Sequence, residues 1–542
     1  MPNKLFLTVS DQLVAKYGSK GAADIRAKLV DYVTADAGRG LTSRVLYADV
    51  PSRTGFSAAG STAVFPPHVG FRPDEEDDDL DTWIQDVNDY CRAVKKVVDA
   101  VWDEFKFDYL MIIGANDVVP FFRAPNPMAP LGPADVDTTV PTDNPYGAPS
   151  LDAGLDMNSY RLPEIPVGRL PDEEGSKDES FLLRLLDHGI SEAGREQAGK
   201  VLQPAGWALT AASWLALSTD VAMQNQIPAS RVEESPPVDP SSFPLRASLR
   251  RSLHYFNLHG GLGTGVWNGD NGAAFGPAQI PGLQLPDGAG AVTEACYGAD
   301  LIQRTAPLCC GLTYLNSACS AFVGSSTMSY GRAGPPGDSA DVIASKFLEG
   351  LRGGSSCGAS LLRAKQLLAR ATTPFGGLSP TQIKTLFQFY LLGDPSHHPM
   401  QAQVVSYLRN VEERRESLRD ESTKLRGDLF LQMQAKTAGT TIELQQLPEA
   451  GQSWLAEINE RLPGLEPAGE MVEAFEMPAK SLADLPSFGP EAQNVSAVHR
   501  AFTGTIRFQV TDDEARYPKP VYLASAFFAG GRLLRESLVG SR

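Results

Sequence analysis

Apolar positions along the chain fall into two alternating regimes. Runs of about five apolar residues bounded by turn formers alternate with longer stretches in which apolar residues recur at helical spacing. Residues 5–9 form the first such run, followed by a helical stretch over 22–35 and a second strand over 44–49. A helix over 83–105 leads into a strand over 109–113 that ends in Gly114-Ala115-Asn116-Asp117. After a Pro- and Gly-rich passage at 123–149 and a helix over 179–194, the same layering returns. Its strands are predicted at 207–212, 253–258, 289–294 and 320–325, with helices at 214–224, 340–351 and 358–371. Short buried strands separated by amphipathic helices predict an α/β fold of two adjoining three-layer subdomains with mostly parallel sheets. The passage at 123–149 is too long for a plain connection and is expected to carry function.

The pattern changes after residue 400. Val404, Leu408, Val411, Leu418, Leu425 and Leu429 recur at helical spacing among Arg and Glu, and a polar passage then leads to β-like segments at 504–510 and 521–528. The expected organisation is an N-terminal α/β subdomain with a substrate-pocket loop (1–183), a catalytic subdomain (184–400) and a C-terminal α+β extension (401–542). A chain of 542 residues is in any case too long for one core.

Composition narrows the function. No apolar run approaches the roughly 18 residues that a membrane helix needs, so no membrane partner is expected. The first residues lack the h-region and cleavage site of a secretion signal, which favours a cytoplasmic location. A net charge of −17 without a dense Lys/Arg cluster argues against nucleic acid. The acidic run from Asp74 to Asp79 reads as a solvated loop. Six irregularly spaced cysteines do not form a disulfide framework and are expected as free thiols. His397-His398 lack companion ligands at metal-site spacing, so a surface turn and no metal are expected there.

Two strand ends carry candidate chemistry. One apolar run delivers His259 directly into Gly260-Gly261; the other delivers Cys296 into a turn, as Glu294-Ala295-Cys296-Tyr297-Gly298. In a parallel sheet the carboxyl ends of strands form the ligand crevice, so neighbouring strands bring imidazole and thiol to one rim. Thiolate is the attacking species, and a nearby imidazole favours it below the free thiol pKa of about 8.5. Glycine after His259 lets bare backbone approach a substrate, which makes the N–H groups of Gly260 and Cys296 the oxyanion candidates. His254 lies five residues before His259 on the same strand, and so on its opposite face. Cys319 competes as nucleophile, but no tight glycine follows it. Asp117, at a strand end, is a candidate to orient His259 or an ordinary loop aspartate. Trp267 is a candidate cleft wall or a core tryptophan.

The His-Gly and Glu-Ala-Cys-Tyr-Gly pair, with His259 and Cys296 37 positions apart, resembles the paired motif of the caspase, legumain, clostripain and gingipain clan. Several segments resemble the gingipain-like family in particular: LMIIGANDVVP at 110–120, TDNPYG at 142–147, IPVGRL at 165–170, YLNSACSAFVGSSTMSYG at 314–331 and LLGDP at 391–395. The resemblance spans roughly residues 1–400. It implies a caspase-like core and a cysteine endopeptidase without metal or organic cofactor. It also places Cys319 in the strand after the nucleophile. In that family an aspartate in a motif like that of Asp143 lines the pocket for the residue before the cut bond and selects Arg or Lys. The residues themselves equally allow Asp143 to cap its own Asp-Asn-Pro loop. The expected partners are a protein or peptide substrate and an activating protease or regulatory protein that restrains a zymogen. The alternative is an inactive caspase-like scaffold. An esterase is disfavoured because no Gly-x-Ser-x-Gly elbow ends a strand.

Overall fold

The computed structural model describes residues 1–57, 65–69, 80–132, 135–243, 249–372, 378–402, 417–426, 428–429, 440–441, 449–461, 466–477, 495–503, 521–529 and 532–542. The acidic run 74–79, the positions Val404, Leu408 and Val411, and the expected strand at 504–510 lie outside them.

The first part of the chain supplies strands β1 (Asn3–Thr8), β2 (Thr42–Tyr47), β3 (Tyr109–Ile113) and β6 (Val167–Leu170), with a hairpin of β4 (Phe122–Pro125) and β5 (Thr139–Thr142). The second supplies β7 (Gly206–Ala211), β8 (Val232–Ser235), β9 (Leu253–Asn257), β12 (Ala289–Thr293), β13 (Cys319–Ser325), β14 (Tyr330–Gly331) and β15 (Phe389–Gly393). A second hairpin, β10 (Trp267–Gly269) and β11 (Gly272–Phe275), follows β9.

The two expected subdomains share one sheet. Among the described residues it has ten strands in the order β2-β1-β3-β6-β15-β13-β12-β9-β7-β8. Neighbours run parallel except at the seam, where β15 pairs antiparallel with β13 and parallel with β6. The strand that closes the second half in sequence therefore belongs in direction to the first. At that seam Gly393 has φ 124°, and a Cβ there would sit 2.2 Å from the Ser320 carbonyl oxygen.

Alternation along the strands feeds two buried clusters, as expected for a sheet covered on both faces. Phe256, Ala291, Phe322 and Leu392 join the cluster that includes helices α1 (Ser10–Gly38), α2 (Leu80–Glu104), α3 (Ser180–Gln197) and α5 (Cys310–Asn316). Tyr255, Val292, Val323 and Leu391 join the other, with α4 (Leu215–Gln224), α6 (Ala340–Arg352), α7 (Cys357–Thr372) and α8 (Pro380–Gln388). No helix among the described residues is long and apolar enough to cross a membrane.

His397 departs from the expected surface turn. It is buried, with its Nε2 3.2 Å from the Tyr32 hydroxyl. That hydroxyl donates to Asp394, which also pairs with Lys4 at 2.6 Å. The Gly-Asp-Pro segment thus ties β15 to β1 through a buried ionic network.

The extension contributes β16 (Thr440–Thr441), β17 (Glu466–Met477), β18 (Val495–Thr503), β19 (Val521–Ala529) and β20 (Arg532–Ser541). They form an antiparallel sheet in the order β14-β20-β19-β18-β17-β16. Its first strand, β14, belongs to the α/β core, so the extension is built onto the core by strand addition. Trp454, Leu455 and Ile458 of helix Glu449–Arg461 pack against its inner residues, including Val498, Ala524 and Phe528. Leu425 and Leu429 of the predicted stripe bury into the core cluster that includes α7.

Candidate active site

β9 and β12 lie side by side and parallel, with Gly290 opposite Leu253 and Thr293 opposite Phe256. Their carboxyl ends therefore open onto one rim, and His259 and Cys296 follow them. Just past β9, His259 exchanges backbone hydrogen bonds with Asn268 of β10, at 2.9 and 2.8 Å. This bridge anchors the β10–β11 hairpin, whose turn carries Asp270. The His259 Nε2 lies 3.6 Å from Asp270 Oδ1, while Asp270 Oδ2 accepts from the Ser213 N–H at 2.7 Å. The Trp214 ring packs on the imidazole, centroids 4.2 Å apart. Burial lowers the His259 pKa and Asp270 offsets part of that shift. Burial pushes the Asp270 carboxyl up, but bonds from His259 and Ser213 outweigh it and hold the group below its ordinary range.

The two rim segments touch. A Cβ on Gly260 would lie 1.8 Å from the Cys296 carbonyl oxygen and 2.9 Å from its nitrogen, so only glycine permits this approach. Tyr297, directly after the thiol, has φ 54°, a left-handed turn uncommon for a bulky residue. Two bonds hold that turn: Tyr297 N–H to the Thr327 carbonyl at 3.0 Å and Tyr297 Oη to Asp137 at 2.9 Å. Asp137 in turn pairs with buried Lys384, which also binds Asp135. The Pro- and Gly-rich passage thus braces the Cys296 turn from beneath. The Cys296 Sγ accepts the Ser329 N–H at 3.2 Å. Burial raises the thiol to about 12.

Beside the thiol lies a pocket with two buried carboxylates. Glu294 directly follows β12 and precedes Cys296 by two positions. It accepts from the Tyr255 hydroxyl at 2.6 Å. Asp341, in the first turn of α6, lies within hydrogen-bond contact of Glu294. Both face the guanidinium of Arg542, with Nη2 2.5 Å from Asp341 Oδ1 and Nε 3.4 Å from Glu294 Oε2. The same Nη2 donates to the Arg332 carbonyl at 2.7 Å, and the guanidinium carbon lies 4.2 Å from the Trp214 ring centroid. A Cβ on Gly331 would fall 2.2 Å from Arg542 Nη2, so its absence leaves the space that the guanidinium fills. The backbone of Arg542 lines the thiol: its N–H donates to the Ser329 carbonyl at 2.9 Å, and its carbonyl oxygen is 3.4 Å from the Gly260 nitrogen.

The model of peptidase family C25 matches residues 78–400, more than half of the chain. The chain belongs to peptidase family C25. This C25 chain is accordingly a cysteine peptidase with a caspase-like α/β fold, and its substrate is protein. Among solved structures it is similar to one titled "Structure of Protease", at 13% identity and TM-score 0.46, covering 99% of this chain and 97% of the other. It is also similar to the separase–securin complex of Saccharomyces cerevisiae in two structures. Identity is 13% and 10%, with TM-scores of 0.25 and 0.28, over 42% and 59% of this chain and 14% and 20% of that one. No curated protein matches the chain.

Three expected site residues of this C25 peptidase stand elsewhere. Asp143 stands away from the rim: its oxygens receive Arg169 Nε at 3.0 Å and Nη2 at 2.6 Å, deep in the core. Asp117 does not approach His259, because Lys16 at 2.7 Å and the Gly175 N–H at 2.9 Å hold it near α1. Trp267 is a core residue, 2% exposed and stacked on Phe275 and Phe322. The residues that stand nearest the His259–Cys296 rim are instead Asp270 and Trp214 beside His259 and Glu294 and Asp341 around Arg542. A signal for Glu294 was present, since an acidic residue two places before Cys296 interrupts an apolar strand end. Asp341 and Asp270 carry no such local mark. Cys319 is buried, with its thiol donating to strand carbonyls at 3.0 and 3.1 Å.

Proposed function

We propose that this peptidase is an endopeptidase that cuts after arginine through Cys296 and His259. The reading is carried by one observation: an arginine whose guanidinium contacts both Glu294 and Asp341 has its own backbone beside the Cys296 thiol and the Gly260 N–H. Two carboxylates, a carbonyl and an aromatic face suit a planar, five-donor guanidinium better than a lysine ammonium. In the first step Cys296, its proton taken by His259, attacks the carbonyl carbon after the arginine. The oxyanion forms against the Gly260 and Cys296 N–H groups. The C–N bond breaks as His259 protonates the departing amine, and water then cleaves the thioester to release the acid and the thiol. Asp270 positions the imidazole, and the β14 edge holds the substrate as an added strand.

Profiling with a peptide library tests the reading. Cleavage should follow Arg in preference to Lys, vanish in Cys296→Ala and His259→Ala, and lose its arginine preference in Glu294→Gln and Asp341→Asn. Activity that survives Cys296→Ala, or a preference indifferent to both pocket variants, refutes it.

A further inference from the structure

We infer that β20 and Arg542 form a built-in substrate mimic that keeps this peptidase latent, an inference that rests on the arginine-specific reading above. β20 takes the whole substrate path. Ser541 pairs with Tyr330 and Gly540 with Gly331 across the antiparallel ladder, and the Arg542 N–H continues it to the Ser329 carbonyl at 2.9 Å. The guanidinium fills the carboxylate pocket, and the Arg542 carbonyl oxygen lies at the Gly260 nitrogen. Edge, pocket and oxyanion donor are therefore occupied together, and an incoming peptide must displace all three contacts.

The strand is also fastened outside the cleft. Ser537 Oγ and Arg535 Nη2 donate to Asp338 Oδ2 at 2.9 and 3.2 Å. Val539, Val521 and Leu523 pack with Met328, Tyr330 and Cys296 in one apolar cluster. These anchors lie on the loop before α6 and on the turn around the thiol, so the mimic is held by the same elements that build the site. Because the strand is tethered, its effective concentration is on the order of mM, enough to outcompete dilute substrate without tight binding.

The test uses the full chain, with two readouts: hydrolysis of a fluorogenic peptide ending in arginine, and the rate of Cys296 alkylation by iodoacetamide. Arg542→Ala empties the pocket. Arg535→Ala with Ser537→Ala loosens the strand without touching the pocket, and decides the matter if the first variant misfolds by circular dichroism. Both rates should rise at least tenfold in Arg542→Ala and by a smaller factor in the double variant. A synthetic peptide of residues 532–542 should then inhibit Arg542→Ala. Equal rates in the wild-type chain and the folded variants overturn latency, and hydrolysis of arginine peptides by all of them leaves the specificity reading intact. Faster alkylation without arginine hydrolysis shows that the strand shields the thiol, but it removes the specificity reading and overturns the substrate mimic with it.

Discussion

Two buried arginine–carboxylate contacts distinguish structure from function at the level of single residues. Arg169 is fully buried, bound by Asp143 and by the carbonyls of Gly114 and Val119, and stacked over Phe121. Removing Asp143 strands that charge in the core. Asp143→Ala should therefore lower stability by about 3–5 kcal/mol in denaturant unfolding, while any folded fraction keeps its cleavage preference. Glu294 behaves differently. Burial and neighbouring Asp341 push its carboxyl well above the ordinary range, and Arg542 pulls it down. The guanidinium that lowers this carboxyl also binds it, so Glu294→Gln should weaken arginine recognition. The same variant should cost about 10- to 100-fold in kcat/KM, the range of a lost charge-assisted hydrogen bond. The placement of His259 and Cys296 at one rim could be expected from the sequence, because each closely follows an apolar strand. Asp143 was left between a pocket and a loop-capping role because a motif gives no partner: only the fold reveals that Arg169 reaches it across 26 positions.

Among the elements, the β10–β11 hairpin and the sheet seam carry the clearest expectations. The hairpin holds Asp270 against His259 through the His259–Asn268 bridge. Asp270→Asn should lower kcat about tenfold with little change in KM and shift the acid limb of the pH–rate profile downward, since the carboxylate raises the imidazole pKa against burial. At the seam, Gly393→Ala should destabilise the chain by 2 kcal/mol or more in urea melts, because its φ and the Ser320 carbonyl both exclude a Cβ. Hydrophobic periodicity located the strands that run continuously apolar, and 109–113 was placed to the residue. β6 and β15 stood in the sequence as motifs rather than strands, because IPVGRL mixes proline and glycine into a short run and the apolar residues of β15 follow α8 with no turn between them. The antiparallel seam could not be read either: strand direction depends on where the chain returns from, which local pattern does not encode. Asp270 was missed for a related reason, since a two-residue turn between weak strands has little signature.

For the molecule as a whole, buried neutral histidines set the acid limit. His254 is fully buried between the Tyr314 hydroxyl and the Leu249 carbonyl, and burial lowers its pKa to about 4. His397 is likewise lowered to about 4 by burial. The unfolded chain takes up protons near pH 6.5 and the folded chain does not, so stability falls as pH drops from about 6.5 to 4. Each histidine contributes on the order of 3 kcal/mol across that window. Urea midpoints measured at pH 7, 5.5 and 4.5 should decline accordingly, and His254→Phe should shallow the slope. The edge offered by β14 has a separate consequence for what the enzyme destroys. On the function proposed above, a groove that reads backbone through a short antiparallel ladder accepts only polypeptide free to straighten, so arginines locked in a neighbour's helices escape. Damaged, nascent or loosely tethered segments, rather than any elaborate recognition sequence, would then define the enzyme's diet.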